Sequence, residues 1–282
     1  MKLLRFGEVG QEKPGLLDEE GNIRDLSAYV KDIDGEFLGG ELFAKTQVID
    51  TASLPLVSGQ PRLAEPVTGV GKFICVGLNY EDHARETGTV VPPEPVLFMK
   101  ATSSITGPFD RVELPPHSKK SDWEVELGVV IGKEAKYVSE AEAMNYVAGF
   151  CVINDLSERE FQLEREGQWM KGKGCDTFGP LGPYLVTPDE VGNVDNLDIW
   201  LELNGERVQD GNTKTMVYKV PFLVHYISQF MSLQPGDIIS TGTPPGVGLG
   251  MTPPKYLKEG DVMRLGIENI GEQQQSVFRY QR

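Results

Sequence analysis

Beyond about residue 70 the chain alternates short apolar runs with a few helical stretches, and its 32 Gly and 19 Pro supply dense turn punctuation. The run that organises the others is Ser121 to Gly132, SDWEVELGVVIG, where two glutamates interrupt the text of a buried strand. Strand side chains alternate faces with period two, so Glu124 and Glu126 point one way while Val125, Leu127, Val129 and Ile131 point the other. The apolar continuation Gly128-Val129-Val130-Ile131 predicts a central strand, against the alternative of an edge strand with its polar face in water. Side by side in an interior, two carboxylates repel and raise each other's pKa unless a cation lies between them. A bound cation is therefore expected.

KFICVGL, from Lys72 to Leu78, predicts a second buried strand, closed by Asn79-Tyr80. The following NYEDHARETG predicts a turn or two of helix with His83 and Glu86 on one face at i, i+3. A carboxylate beside an imidazole holds one tautomer and raises its basicity, which makes His83 a candidate base; the competing reading is an ordinary surface pair on a solvated helix. SEAEAM, from Ser139 to Met144, carries a capping-box signature and predicts a helix start. FCVIN, from Phe150 to Asn154, predicts a strand that delivers Asp155, and Ser157 to Glu166 predicts a helix with Arg159 and Gln162 on one face. His225 lies in the helical period of PFLVHYISQFM as a packed residue, and His117 in LPPHSKK has no assigned role. Residues 1–70 read as a small N-terminal module with strands at Lys2 to Phe6 and Pro14 to Leu17, a short helix within Gly35 to Gln47, and a Pro/Gly-rich linker from Ser53 to Gly71. The expected fold class is α+β, mainly β, with a larger domain over 71–282.

Net charge is −15, from 27 Lys+Arg against 42 Asp+Glu, without a basic cluster, so no nucleic-acid partner is expected. Cys75, Cys151 and Cys175 are an odd set at wide spacings, which suits a reducing compartment. With no apolar leader after Lys2 and no run of about 18 apolar residues, a cytoplasmic protein with no membrane partner is expected.

Glu124, Glu126 and Asp155 together offer hard oxygen ligands, which suit Mg²⁺ or Mn²⁺, with Ca²⁺ as a substitute, and disfavour zinc. Three carboxylates leave about three positions of an octahedral ion open to water or substrate, as in catalytic rather than structural sites. Lys173, flanked by Gly172 and Gly174, permits close approach of a ligand to the backbone; the alternative is a surface lysine like Lys171. The glycines of TGTPPGVGLG can cluster amides into an anion site, and no GK[ST] follows them, so this is not a nucleotide-phosphate loop.

Five runs stand in order: VGLNYEDHARETG, DWEVELGVVIG, INDLSEREFQ, KGKGCDTFGPLGP and STGTPPGVG. Over roughly residues 71–282 this order resembles the fumarylacetoacetate hydrolase family. The resemblance implies a mostly antiparallel β-roll, a divalent metal on Glu124, Glu126 and Asp155, and a homodimer or homotetramer. It further implies a lid bearing His83 and Glu86, Lys173 near the metal, Arg159 and Gln162 facing substrate, and Thr243 holding a substrate carboxylate. The opening MKLLRFGEVGQEKPGLL is similar to a subgroup labelled ureidoglycolate lyase or assigned to 2,4-diketo-3-deoxy sugar acids such as the L-rhamnonate and L-fuconate derivatives.

The expected reaction is hydrolysis of the C3–C4 bond of a 2,4-dioxo acid to pyruvate and a carboxylic acid. Water activated by His83 adds at C4, pyruvate enolate leaves, Glu86 supports His83, and Lys173 and Thr243 hold the substrate carboxylate or oxyanion. A deoxy sugar tail would need polar partners, for which Glu81, Asp82 and Arg85 are candidates. The alternatives are a lyase or decarboxylase in the same site, acting on ureidoglycolate or oxaloacetate, and a non-catalytic β-domain held by calcium.

Overall fold

The strand expected at Ser121 to Gly132 forms as Val125–Ile131, preceded by the separate short strand Ser121–Asp122, in a computed structural model described over residues 1–281. Val125–Ile131 pairs antiparallel with Val147–Asn154 on one side and Ile238–Ser240 on the other, so it is central and the edge-strand alternative is excluded. The interruption falls at Trp123 and Glu124, whose N–H groups donate to the side chains of Asp122 and Asn154 instead of to a neighbouring strand.

Around this strand an eleven-stranded mixed sheet runs in the spatial order Ile23–Asp25, Lys13–Leu17, Lys2–Phe6, Gly179–Val186, Val147–Asn154, Val125–Ile131, Ile238–Ser240, Phe73–Gly77, Val96–Lys100. Leu63–Ala64 and Ile105–Thr106 pair off this path. Most ladders are antiparallel; Ile238–Ser240 against Phe73–Gly77 is parallel. A second, five-stranded sheet, in the order Glu206–Asn212, Asp198–Leu203, Val262–Ile267, Gly271–Arg279, Val112–Leu114, completes the mainly β fold.

Alternation along the strands sorts the core. Val125, Leu127, Val129 and Ile131 join Ile199, Leu201, Met263 and Leu265 of the second sheet in one cluster. Val130, from the opposite face, joins Cys151, Ile153 and Leu181 in another. Gly128 is needed between them, since a Cβ there would stand 2.6 Å from Cys151 Sγ and Ile153 Cδ1. Glu124 and Glu126 keep the period of Val130, so they emerge on that second face at the end of the strand.

The first 70 residues, expected as a small module, extend the same sheet: Lys2 and Leu3 register with Val186 and Leu185, and Leu3, Leu16 and Leu26 share a core cluster with Phe73 and Cys75. Within them the helix expected over Gly35 to Gln47 forms as two, Gly35–Gly39 and Glu41–Thr46, broken at Gly40, which lies in extended backbone. The helix expected to start at Ser139 does so, as a 3-10 helix over Glu140–Tyr146; the Ser139 hydroxyl donates to the Glu142 carboxylate at 2.7 Å and caps no backbone amide. Ser157–Glu158 pairs with Ser121–Asp122 as strand, which shortens the following helix to Arg159–Leu163. No helix among the described residues is long and apolar enough to cross a membrane.

Candidate active site

Register builds the acidic cluster. Val125 pairs with Asn154, and the next residue, Asp155, donates its N–H to the Glu124 carbonyl at 2.9 Å, so Asp155 stands across from Glu124 and diagonal to Glu126. All three side chains are buried, and each can offer an oxygen within 4.8 Å of the others. The lone strand places two carboxylates on one face; the neighbouring strand supplies the third.

Cations have gathered on part of this cluster. Lys173 Nζ donates to Glu124 Oε2 at 2.5 Å and Asp155 Oδ2 at 2.7 Å; Arg159 Nη2 donates to Glu124 Oε1 at 2.6 Å. Burial would raise the Glu124 pKa, but Lys173 and Arg159 outweigh it and hold the carboxyl down at about 2. Glu126 differs. It has no ion pair among the described residues, and its Oε2 accepts from Ser240 Oγ at 2.6 Å and the Gly242 amide at 2.8 Å. Burial, then the charges of Asp155 and Glu124, push its carboxyl well above the usual range. A buried carboxyl with no cation of its own, beside two that are paired with lysine, is a place where a divalent ion can supply the missing charge. The three hard oxygens therefore fit magnesium or manganese and give zinc no nitrogen or sulfur.

His83 is buried to 7% exposure on the helix Glu81–Glu86 and lines the cavity above the cluster. Its Nδ1 has no hydrogen bond, and Glu86 Oε2 stands 3.5 Å away, close enough for charge but too far for a bond. Glu86 instead accepts the Gly246 amide at 3.0 and 3.1 Å, which ties this helix to the loop 240–250. The expected amide cluster of that loop is real, but the protein's own carboxylates use it: Glu126 takes Gly242, Glu86 takes Gly246, and Asp122 takes Gly248 and Leu249. Thr243 lines the cavity with its hydroxyl spent, donating to the Val125 carbonyl and accepting from Gln209. Arg159 and Gln162 both line the cavity and are bonded to each other at 3.1 Å.

The cavity, about 140 Å³, is lined by Glu124, Glu126, Lys173, Arg159 and His83 and by the apolar Val76, Phe98, Leu163, Trp169 and Leu249, with the Lys173 ammonium 5.0 Å over the Phe98 ring. Phe98 and Trp169 pack edge to face at 5.1 Å, and Gly77 allows this, since a Cβ there would meet the Trp169 ring at 2.8 Å. Glu81, Asp82 and Arg85 lie outside, exposed and paired with one another, which corrects the expectation that they receive a polar tail. His117 is exposed and does not line this cavity, and His225 packs its Nδ1 2.7 Å from the Val138 carbonyl.

Residues 72–278 match the family model described as fumarylacetoacetate (FAA) hydrolase C-terminal. The chain belongs to the fumarylacetoacetate hydrolase family. A protein of Burkholderia multivorans, named only as a hydrolase, is 61% identical over 98% of each chain. The fumarylacetoacetate hydrolase of psychrophilic Exiguobacterium antarcticum superposes with a TM-score of 0.88 at 36% identity, covering 99% of this chain and 100% of that one. Maleylpyruvate hydrolase from Sphingobium sp. SYK-6, solved with manganese(II) and pyruvate, gives a TM-score of 0.84 at 28% identity over all of both chains. As a fumarylacetoacetate hydrolase family member, this chain is an enzyme of a hydrolase fold.

Four contributors have no role assigned by the sequence alone: Lys100, Asp122, Gln209 and Trp169. Lys100 carries a signal, a lysine ending the apolar run VLFM, and Asp122 stands within Ser121 to Gly132 beside the two glutamates. Gln209 and Trp169 lie far along the chain in polar text and only the fold brings them here.

Proposed function

We propose that the protein hydrolyses the C3–C4 bond of a 2,4-dioxo acid, giving pyruvate and a carboxylic acid, with magnesium or manganese on Glu124, Glu126 and Asp155. The observation that carries this reading is a cluster of three buried carboxylates in which Glu126 accepts only from Ser240 and Gly242, with Glu124 and Glu126 lining one small cavity together with His83. A divalent ion held there supplies Lewis-acid chemistry to the carboxylate and 2-oxo oxygens of the substrate.

The chain's own residues do the rest. With Glu86 on its Nδ1 side, His83 takes a proton from water through Nε2, and Glu86 stabilises the resulting imidazolium. The water oxygen adds to C4, the C3–C4 bond breaks, its electron pair leaves on C3 as pyruvate enolate, and a proton returns to C3. Lys173, Arg159 and Gln162 set charge and hydrogen bonds around the substrate carboxylate. The spent hydroxyl of Thr243 leaves its backbone N–H as the donor. The acyl arm lies against Phe98, Leu163, Trp169 and Leu249, where an alkyl or aryl group loses nothing and each unpaired hydroxyl costs about 1–3 kcal/mol. This supports acylpyruvates above 2,4-diketo-3-deoxy sugar acids.

The test is pyruvate release with Mg²⁺ or Mn²⁺, with and without EDTA, on acylpyruvates, diketo-deoxy sugar acids, oxaloacetate and ureidoglycolate. EDTA-sensitive pyruvate plus an equimolar carboxylic acid supports the proposal. Pyruvate with CO₂ alone, or glyoxylate with urea, overturns it in favour of a lyase.

A further inference from the structure

Lys100 ends the strand Val96–Lys100, and its side chain is fully buried. Its ammonium donates to Asp155 Oδ1 at 2.7 Å and to the Leu156 carbonyl at 3.0 Å, both on the turn that follows Asn154. Burying a lysine costs several kcal/mol unless it is paired, so this contact is maintained by strong electrostatics. Lys173 occupies the other oxygen, Asp155 Oδ2, and also reaches Glu124. The two lysines differ in place as well as partner: Lys173 lines the cavity and Lys100 does not.

We infer that Lys100 is a positioning residue that fixes Asp155 as a one-oxygen metal ligand, holding Oδ1 aside so that only Oδ2 faces the triad. This rests on the reading of Glu124, Glu126 and Asp155 as the metal site. Lys173 contacts Glu124 Oε2 and Asp155 Oδ2; under this assignment these are the oxygens a metal would take, so metal and Lys173 would compete for them. The Lys100 bond goes to the other oxygen, Oδ1, and under this assignment it would persist when metal binds. Consequently Lys100 acts on which ion is accepted. Mg²⁺ demands near-ideal octahedral geometry at about 2.0–2.1 Å, whereas Ca²⁺ accepts a bidentate carboxylate at about 2.3–2.6 Å. Freed of Lys100, Asp155 can turn both oxygens to an ion, which suits calcium and not magnesium.

The experiment is calorimetric titration of metal-free wild type and Lys100→Met with Mg²⁺ and Ca²⁺ separately, which needs no turnover. The expected result is a shift of the Ca²⁺-to-Mg²⁺ affinity ratio towards calcium by about tenfold or more. An equal change for both ions means that Lys100 acts only as a nearby charge and overturns the proposal. No binding by wild type overturns the metal reading itself, and the proposal with it. Because Lys100→Met leaves buried Asp155 with only one of its two lysine partners and can fail to fold, a crystal structure of the wild type with Mn²⁺ decides the matter independently. Coordination through Oδ2 alone, with the Lys100 Nζ to Oδ1 bond intact, supports the assignment; bidentate Asp155 or a broken Lys100 bond refutes it.

Discussion

Glu126→Gln should make the metal-free protein more stable and the metal-loaded protein less so. The substituted amide keeps one oxygen to accept from Ser240 and Gly242 but removes a charge that burial, Asp155 and Glu124 all oppose. A carboxyl whose folded pKa lies above its unfolded value of about 4.3 destabilises the fold when pH rises past that value, by about 1.4 kcal/mol for each pH step of one until the folded pKa is reached. Replacing the carboxyl by a group that never ionises is therefore worth up to about 4 kcal/mol at pH 7, and close to nothing below pH 4, where Glu126 is neutral in both states. With metal the sign reverses. At 100 times Kd the wild type gains about 2.7 kcal/mol from the ion, and a variant that has lost the ligand gains little. The assay is chemical denaturation of both proteins in EDTA and in excess Mg²⁺, at pH 4 and pH 7. A variant less stable than wild type in EDTA at pH 7, or an equal gain from Mg²⁺ in both, would refute the argument that Glu126 is an uncompensated metal ligand.

Other perturbations separate the roles. His83→Ala should keep metal affinity, read by calorimetry, and lose about 10²–10⁴ in kcat, whereas Glu126→Ala loses metal binding and turnover together; equal residual activity in the two breaks the assignment. Gly250→Ala places a Cβ 2.3 Å from Glu86 Cγ, so the tie from Glu86 to Gly246 must yield; KM should rise and amide exchange at Gly246 accelerate, and unchanged exchange counts against the tie. Trp169→Ala should lower kcat/KM for aryl and alkyl acylpyruvates about 10-fold or more while leaving metal affinity unchanged; an equal loss for a substrate with a one-carbon acyl arm removes the apolar-lining argument.

Much of this site was legible in the chain because strand periodicity is local. Glu124 and Glu126 two apart in apolar text gave their common face, and the strand FCVIN, delivering Asp155 directly after Asn154, gave the third carboxylate. What the local text did not carry is who stands opposite. Lys173 as the counter-cation of Glu124 and Asp155 came only through the family resemblance, and Lys100 came through neither, because its partner lies 55 positions on. The helix expected over Ser157 to Glu166 came out shorter because strand pairing takes its start: Ser157–Glu158 pairs with Ser121–Asp122 before the helix begins at Arg159. The glycine loop was legible as an amide cluster, but its anions turned out to be Glu86, Asp122 and Glu126, a pairing across long separations that spacing cannot express. The N-terminal strands read as a module because their pairing with Gly179–Val186 is likewise invisible along the chain.

The central claim is that water, activated at His83, cleaves C3–C4 of a 2,4-dioxo acid at a divalent metal site. Turnover of an acylpyruvate in ¹⁸O-water with Mn²⁺ tests it most directly, by mass spectrometry of both products at short times. The account predicts one ¹⁸O in the released carboxylic acid, none from catalysis in pyruvate beyond slow exchange of its carbonyl, and no products in EDTA. Unlabelled acid, or product formation unaffected by EDTA, would contradict it.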